Sequence, residues 1–146
     1  MKVKEITLLS AEEYVKYRAI IPLIDGWWWL RSPAAVKGFA TGVNSVGDID
    51  GLGFYVSYNR TAVRPTLKLD LEFSDSLFWY NPKKLFGAKI EYGNYRWIVL
   101  DANLGELYVL CDSPIAERRF DPESNNWATS ELKQWLETDG LKLITA

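Results

Sequence analysis

The sequence predicts a single α+β domain of mostly antiparallel strands with two short helices, and three observations carry that prediction. Lys89–Tyr92, Tyr95–Asp101 and Glu106–Asp112 alternate as strands do, with turn residues between the last two. A capping signature stands at Ser10-Ala11-Glu12-Glu13, and Ala128, Leu132, Trp135 and Leu136 mark one face of a helix. The chain has 146 residues, 48% hydrophobic and 25% charged, which suits one core and is too short for two.

The elements follow in chain order. Ile6, Leu8 and Leu9 predict a short first strand. The Ser10 hydroxyl and the Glu13 carboxylate satisfy free amides at a helix start, so a helix is expected over 11–19, ended by Pro22 and Gly26. Trp27-Trp28-Trp29-Leu30 reads as a buried strand, since indoles left in water forfeit burial energy. The stretch 36–60 holds Gly38, Gly42, Gly47, Gly51 and Gly53 and predicts twisted hairpins, with turns at Asn44–Gly47 and Asp48–Gly51. In a strand over 54–58, Phe54, Val56 and Tyr58 share one face and Tyr55 and Ser57 the other. Ala62–Leu69 is a further strand, which Pro65 assigns to an edge or a bulge. Residues 70–86, with Phe73, Phe78, Trp79, Tyr80 and Pro82, predict a linker between a first part, 1–69, and a second, 87–146. Asn103-Leu104-Gly105 supplies a hairpin turn, and the last helix is expected over 127–138, closed by Gly140. The predicted core is Leu8, Trp28, Leu30, Val63, Leu67, Trp97, Val99, Leu107, Val109, Leu132, Trp135 and Leu136.

Composition excludes several kinds of chemistry. The chain has no histidine, which removes Ser-His-Asp and Cys-His triads and histidine-ligated metals. Its one cysteine, Cys111, removes an internal disulfide, a cysteine zinc site and a dithiol pair. Seventeen basic and nineteen acidic residues give a net charge of −2, without the basic excess that duplex nucleic acid attracts. The charged N-terminus lacks a signal-peptide core and no apolar run is long enough to span a membrane, so a cytoplasmic, membrane-free protein is expected. Carboxylate chemistry remains open, as an acid-pair hydrolase or a metal–carboxylate enzyme, but no acidic residue stands in a catalytic motif.

Trp28-Trp29-Leu30-Arg31-Ser32-Pro33 and Val63-Arg64-Pro65-Thr66-Leu67 resemble the "WWLRSP … VRPAL" signature of a family of uncharacterised bacterial and phage domains. Leu8-Leu9-Ser10-Ala11-Glu12-Glu13 is similar to that family's "LLS-x-E-E" segment. Tyr95–Asp101 resembles its "W-x-VL" strand, and Asn126–Leu136 its "W-x-x-S-x-L-R-x-W-L" helix. Here the two halves stand in the reverse of the family's order, which implies either a circular permutation with 70–86 as the new link or a domain-swapped assembly between chains. The resemblance implies a C-type lectin-like fold: a twisted antiparallel sheet, two short helices and a variable loop region that binds. The calcium-lectin motifs "EPN", "QPD" and "WND" are absent, as is the cysteine pair of formylglycine-generating relatives.

Candidate site residues each carry two readings. Trp28 with its neighbours is either a stacking platform or core, and core is favoured, with one ring of the run left partly exposed. Arg31 and Arg64 either grip an anion or anchor loops through backbone carbonyls, and anchoring is favoured. Asp48-Ile49-Asp50-Gly51 has too few ligands for a calcium loop and reads as a turn. Cys111 is expected to be a small core residue, and Glu117-Arg118-Arg119-Phe120 a solvated loop.

The functional expectation is a non-catalytic binding module of phage or bacterial origin that recognises a protein or small ligand. Its contacts fall in the Gly- and aromatic-rich hairpin region, at Asn44, Asp48, Asp50, Tyr55, Tyr58, Asn59 and Arg60, with Trp28, Arg31 and Arg64 as further candidates. The second expectation is a phage-encoded counter-defence inhibitor that blocks a host nuclease or sequesters a signalling nucleotide, since rings beside arginine suit stacking and phosphate contacts. No cofactor, metal, duplex nucleic acid or membrane is expected, and a homodimer is compatible with either reading.

Overall fold

In the computed structural model, which describes residues 1–72, 82–103 and 105–146, the chain builds two five-stranded sheets rather than one. The strands are β1 (Lys2–Thr7), β2 (Trp28–Pro33), β3 (Phe39–Val43), β4 (Phe54–Tyr55), β5 (Ala62–Val63), β6 (Thr66–Asp70), β7 (Lys89–Tyr92), β8 (Tyr95–Asn103), β9 (Glu106–Cys111) and β10 (Ala116–Glu117). The first sheet runs β1-β6-β9-β8-β7 and is antiparallel throughout. The second runs β10-β5-β2-β3-β4, and its β2–β5 pair is parallel, with Trp28 opposite Ala62. Each sheet draws strands from both 1–69 and 87–146, and both sheets close within one chain.

Two helical segments cover the sheets. Helix α1 (Ala11–Tyr17) begins at the predicted capping box: Ser10 Oγ accepts from Glu13 N, and Glu13 Oε1 accepts from Ser10 N. A 3-10 turn over Arg18–Ile20 extends it. The C-terminal segment begins as α2 (Glu131–Trp135), passes through a π turn (Leu136–Gly140) and continues as α3 (Leu141–Thr145).

The interior has two apolar clusters. One gathers Trp29, Phe54, Leu67, Trp97, Val99, Val109, Phe120, Leu132 and Leu136. The other gathers Leu9, Tyr14, Trp28, Leu30, Ile98, Leu100 and Leu110. Consecutive residues of β2, β8 and β9 enter different clusters, so these strands are covered on both faces. That is why Leu107–Cys111 is buried without a break, where the sequence suggested a half-exposed strand.

Other departures have local causes. The run Ala62–Leu69 is two strands, because the chain crosses from the second sheet to the first at Arg64-Pro65. Pro65 therefore marks a crossing rather than an edge or a bulge, and Cys111 N donates to its carbonyl at 2.9 Å. The predicted strand over 54–58 stops at Tyr55, so Tyr58 leaves the face of Phe54 and Val56 for solvent. The first loop turn falls at Asn44–Gly47 as expected, and the second shifts to Asp50–Gly53.

The last helix starts later than predicted, because Ser130 Oγ caps it by accepting from Lys133 N. It then passes through Gly140, which has right-handed helical geometry. A Cβ there would lie 3.2 Å from both Leu136 and Trp135, so this glycine serves packing rather than termination. Of the predicted core, Trp135 is partly buried and the rest is buried. Phe73, Phe78, Trp79, Tyr80 and Leu104 lie outside the described residues. The described flanks of the expected linker are built into the fold: Leu71 is buried and Pro82–Leu85 forms a 3-10 turn.

Candidate functional site

The parallel pairing of β2 with β5 positions the site. Ala62 N donates to Trp27 O at 2.8 Å, which sets Trp27 beside the segment that enters β5. That segment is held from the other side, where Arg118 N donates to Thr61 O at 3.0 Å. Its far end is held at Val56 O, which accepts from Phe120 N and Asp121 N. The loop 56–61 is thus tied at both ends, while Tyr58, Asn59 and Arg60 between them are exposed.

Gly26, Trp27, Tyr58, Arg60 and Thr61 line a cleft of about 300 Å³. The Trp27 ring stacks on Phe54, with centroids 4.5 Å apart and planes 18° apart. Phe54 in turn packs against Trp29 in the interior. Trp27 is therefore supported from below and still 47% exposed. Tyr58 is 52% exposed. Arg60 has no hydrogen bond or ion pair among the described residues. Thr61 is buried, and its Oγ1 has no hydrogen-bond partner among the described residues, an uncommon state for a buried hydroxyl.

Two other clefts differ in how their polar groups are used. The larger, about 510 Å³, is lined by Arg31, Ser32, Pro33 and residues 125–128. Its polar groups hold the fold: Arg31 donates to Leu8 O and to Glu13, Asn125 to Phe39 O, and Asn126 caps the turn at Trp127. Asn59, Glu117, Arg118, Arg119 and Glu131 line the third. There Arg119 grips Glu131 through two bonds of 2.9 Å, and Arg118 lies 4.6 Å from the Trp135 ring centre.

The predicted site residues do not form one cluster. Tyr58 and Arg60 share the Trp27 cleft, and Asn59 lines its neighbour. Asn44, Asp48 and Asp50 build their own loop: Asn44 Oδ1 accepts from Val46 N and Asp48 N, Asp50 Oδ1 accepts from Leu52 N, and Asp48 pairs with Arg18. Tyr55 is exposed and tilts against Phe39 at 4.5 Å.

Trp28 and Arg64 are interior residues, 2% and 0% exposed, which leaves neither with surface for a ligand. Arg64 donates to the carbonyls of Cys111, Pro22 and Asp112 and lies 5.0 Å from the Trp28 ring centre. Burial lowers its pKa to about 10. Arg31 is likewise an anchor. Burial tends to raise the Glu13 pKa, but hydrogen bonds from Ser10 N, Tyr108 Oη and Arg31 outweigh it and hold the carboxyl below its ordinary value.

Sequence reasoning missed Trp27 as the exposed ring of the tryptophan run. The usable signal was Asp25-Gly26, a turn pair directly before it, which sets Trp27 on a loop–strand boundary. Cys111 is buried, and burial pushes its thiol up to about 12.

No known protein family matches the chain, and no characterised protein or solved structure is significantly similar to it. Among the described residues, no group of three or more cysteine, aspartate or glutamate side chains could hold a metal ion. No helix there is long and apolar enough to cross a membrane.

Proposed function

We propose that the chain is a non-catalytic binding module of phage or bacterial origin, with a circularly permuted C-type lectin-like core, that captures its ligand in the Trp27 cleft. One observation carries the reading. A large aromatic ring is held half exposed on a buried partner, Phe54, beside an exposed tyrosine and an arginine with no partner among the described residues. Such a cleft, mostly apolar with a few convergent polar groups, is the usual form of a small-ligand site. The permuted-family part of the proposal rests on the sequence signatures and on both halves contributing to each sheet. Cytoplasmic location is part of the same proposal.

Native and denaturing mass spectrometry of protein purified from a bacterial host tests it. A retained small molecule or protein partner is expected on the wild type and lost in Trp27→Ala/Tyr58→Ala. Thermal unfolding followed by circular dichroism should show the variant still folded. A chain bare in both forms, or a ligand kept by the folded variant, overturns the assignment.

A further inference from the structure

Resting on that reading, we infer that the ligand is a nucleotide, its base stacked on Trp27 and its phosphate gripped by Arg60. Three features point to this chemistry. First, Trp27 has Phe54 behind it and nearly half its surface open, so it is a rigid platform for a flat ring. Tyr58 is a second ring in the same cleft.

Second, Arg60 is the cation of this region that is free of internal work. Arg118 lies over Trp135, Arg119 holds Glu131 and Arg64 is buried on three carbonyls, whereas Arg60 has no partner among the described residues. An exposed guanidinium with unused donors beside stacking rings suits a phosphate, which it can engage in bidentate fashion.

Third, the cleft of about 300 Å³ is at the lower end of small-molecule sites, enough for one base with its sugar. A sugar acid would use Arg60 but offers Trp27 a puckered C–H face in place of a flat aromatic ring. An apolar peptide would use the rings and leave the cation without a partner.

The test is calorimetric titration of the purified chain with adenosine, guanosine, cytidine and uridine 5′-monophosphates. Adenosine, inorganic phosphate and a single-stranded trinucleotide serve as companion probes. At least one monophosphate is expected to bind with a dissociation constant below about 1 mM. Trp27→Ala should weaken it about tenfold or more, and Trp27→Phe should restore part of that. Arg60→Gln, at an exposed position, should weaken the monophosphate about tenfold while changing adenosine by less than about twofold. A trinucleotide that binds no more tightly than the monophosphate assigns a free nucleotide. Tighter binding assigns a single strand, and both results keep the base-and-phosphate chemistry.

No nucleotide binding below that concentration, or binding unchanged by both substitutions, overturns the inference. A protein partner or other ligand lost with Trp27 and Tyr58, without nucleotide binding, would leave the binding module standing and remove only the nucleotide. Loss of every binding activity would remove both.

Discussion

Glu13 joins three elements, and replacing it tests whether that junction holds the fold together. Its carboxylate accepts from Ser10 N at 2.9 Å, from Tyr108 Oη at 2.9 Å and from Arg31. These contacts tie the start of α1 to β9 and β2. Glu13→Ala removes one half of the capping box, worth about 1 kcal/mol. It also takes away the acceptor of the buried Tyr108 hydroxyl, at about 1–2 kcal/mol. The Arg31 pair adds less, about 0.5 kcal/mol, because about 30% of each side chain meets water and Arg31 keeps its bond to Leu8 O. The total is about 3 kcal/mol, a fall in Tm on the order of 10 °C for a domain of this length.

The dependence on pH is the sharper part of the prediction. The folded-state pKa of Glu13 lies below its ordinary value of 4.5, so the charged carboxylate stabilises the fold fully above that value. That contribution is lost as pH falls from 4.5 through the lowered folded-state value. Glu13→Gln should therefore lag the wild type most at neutral pH and converge on it in acid. Urea unfolding of the three proteins, at neutral pH and again near pH 3, reads both effects. A cost below about 1 kcal/mol for the alanine variant, or a Gln gap that does not change with pH, would refute the reasoning.

Three further outcomes are expected. Arg64→Lys should destabilise by about 3 kcal/mol in urea titrations, because an ammonium cannot span three carbonyls, and a cost under about 1 kcal/mol would contradict the anchoring role. Gly93 has φ +58°, and a Cβ there would lie 2.0 Å from Ile144 O, so Gly93→Ala should cost about 2 kcal/mol or more and expose α3 to limited proteolysis. Protection of α3 equal to the wild type would count against it. Cys111 should react with a thiol reagent at pH 8 only as fast as the chain unfolds, and rapid labelling without denaturant would show an open route to that strand.

Features set by neighbours in the chain were legible before the structure. The Ser10–Glu13 box involves two residues of one turn, and the β7–β8–β9 meander is marked by its own alternation and turns. Features set by distant partners were not. Within the run nothing distinguishes Trp27 from Trp28 and Trp29, and the local signal lies outside it, in the Asp25-Gly26 turn pair. Trp27 is left exposed because sheet pairing starts one residue later, at Trp28 opposite Ala62. Likewise, the break at Arg64-Pro65 becomes visible only once there are two sheets to cross between. Gly140 resembled a helix terminator, because the side chains that require its missing Cβ act through packing and not through pattern.

For the candidate site, Tyr58 and Arg60 line one cleft, Tyr58 from a loop and not from the expected strand, and the Trp27 platform they flank was not singled out from the sequence. Asn44, Asp48 and Asp50 were the right residue types for recognition, yet loop closure uses them first.

The second sheet has a consequence for how the protein is made. Strand β2 is covered on both faces, and β10, which completes its sheet beside β5, comes at Ala116–Glu117. Synthesis proceeds from the N-terminus, so Trp28, Trp29 and Leu30 leave the ribosome long before the strands that enclose them. Strands β3 and β5, the sheet neighbours of β2, follow by residue 63, but for much of translation the nascent chain carries a sticky, β-prone segment whose covering residues, such as Trp97, Ile98 and Leu132, do not yet exist. A cell producing this chain must keep that segment from its neighbours, and the yield of folded protein depends on how quickly the last third follows.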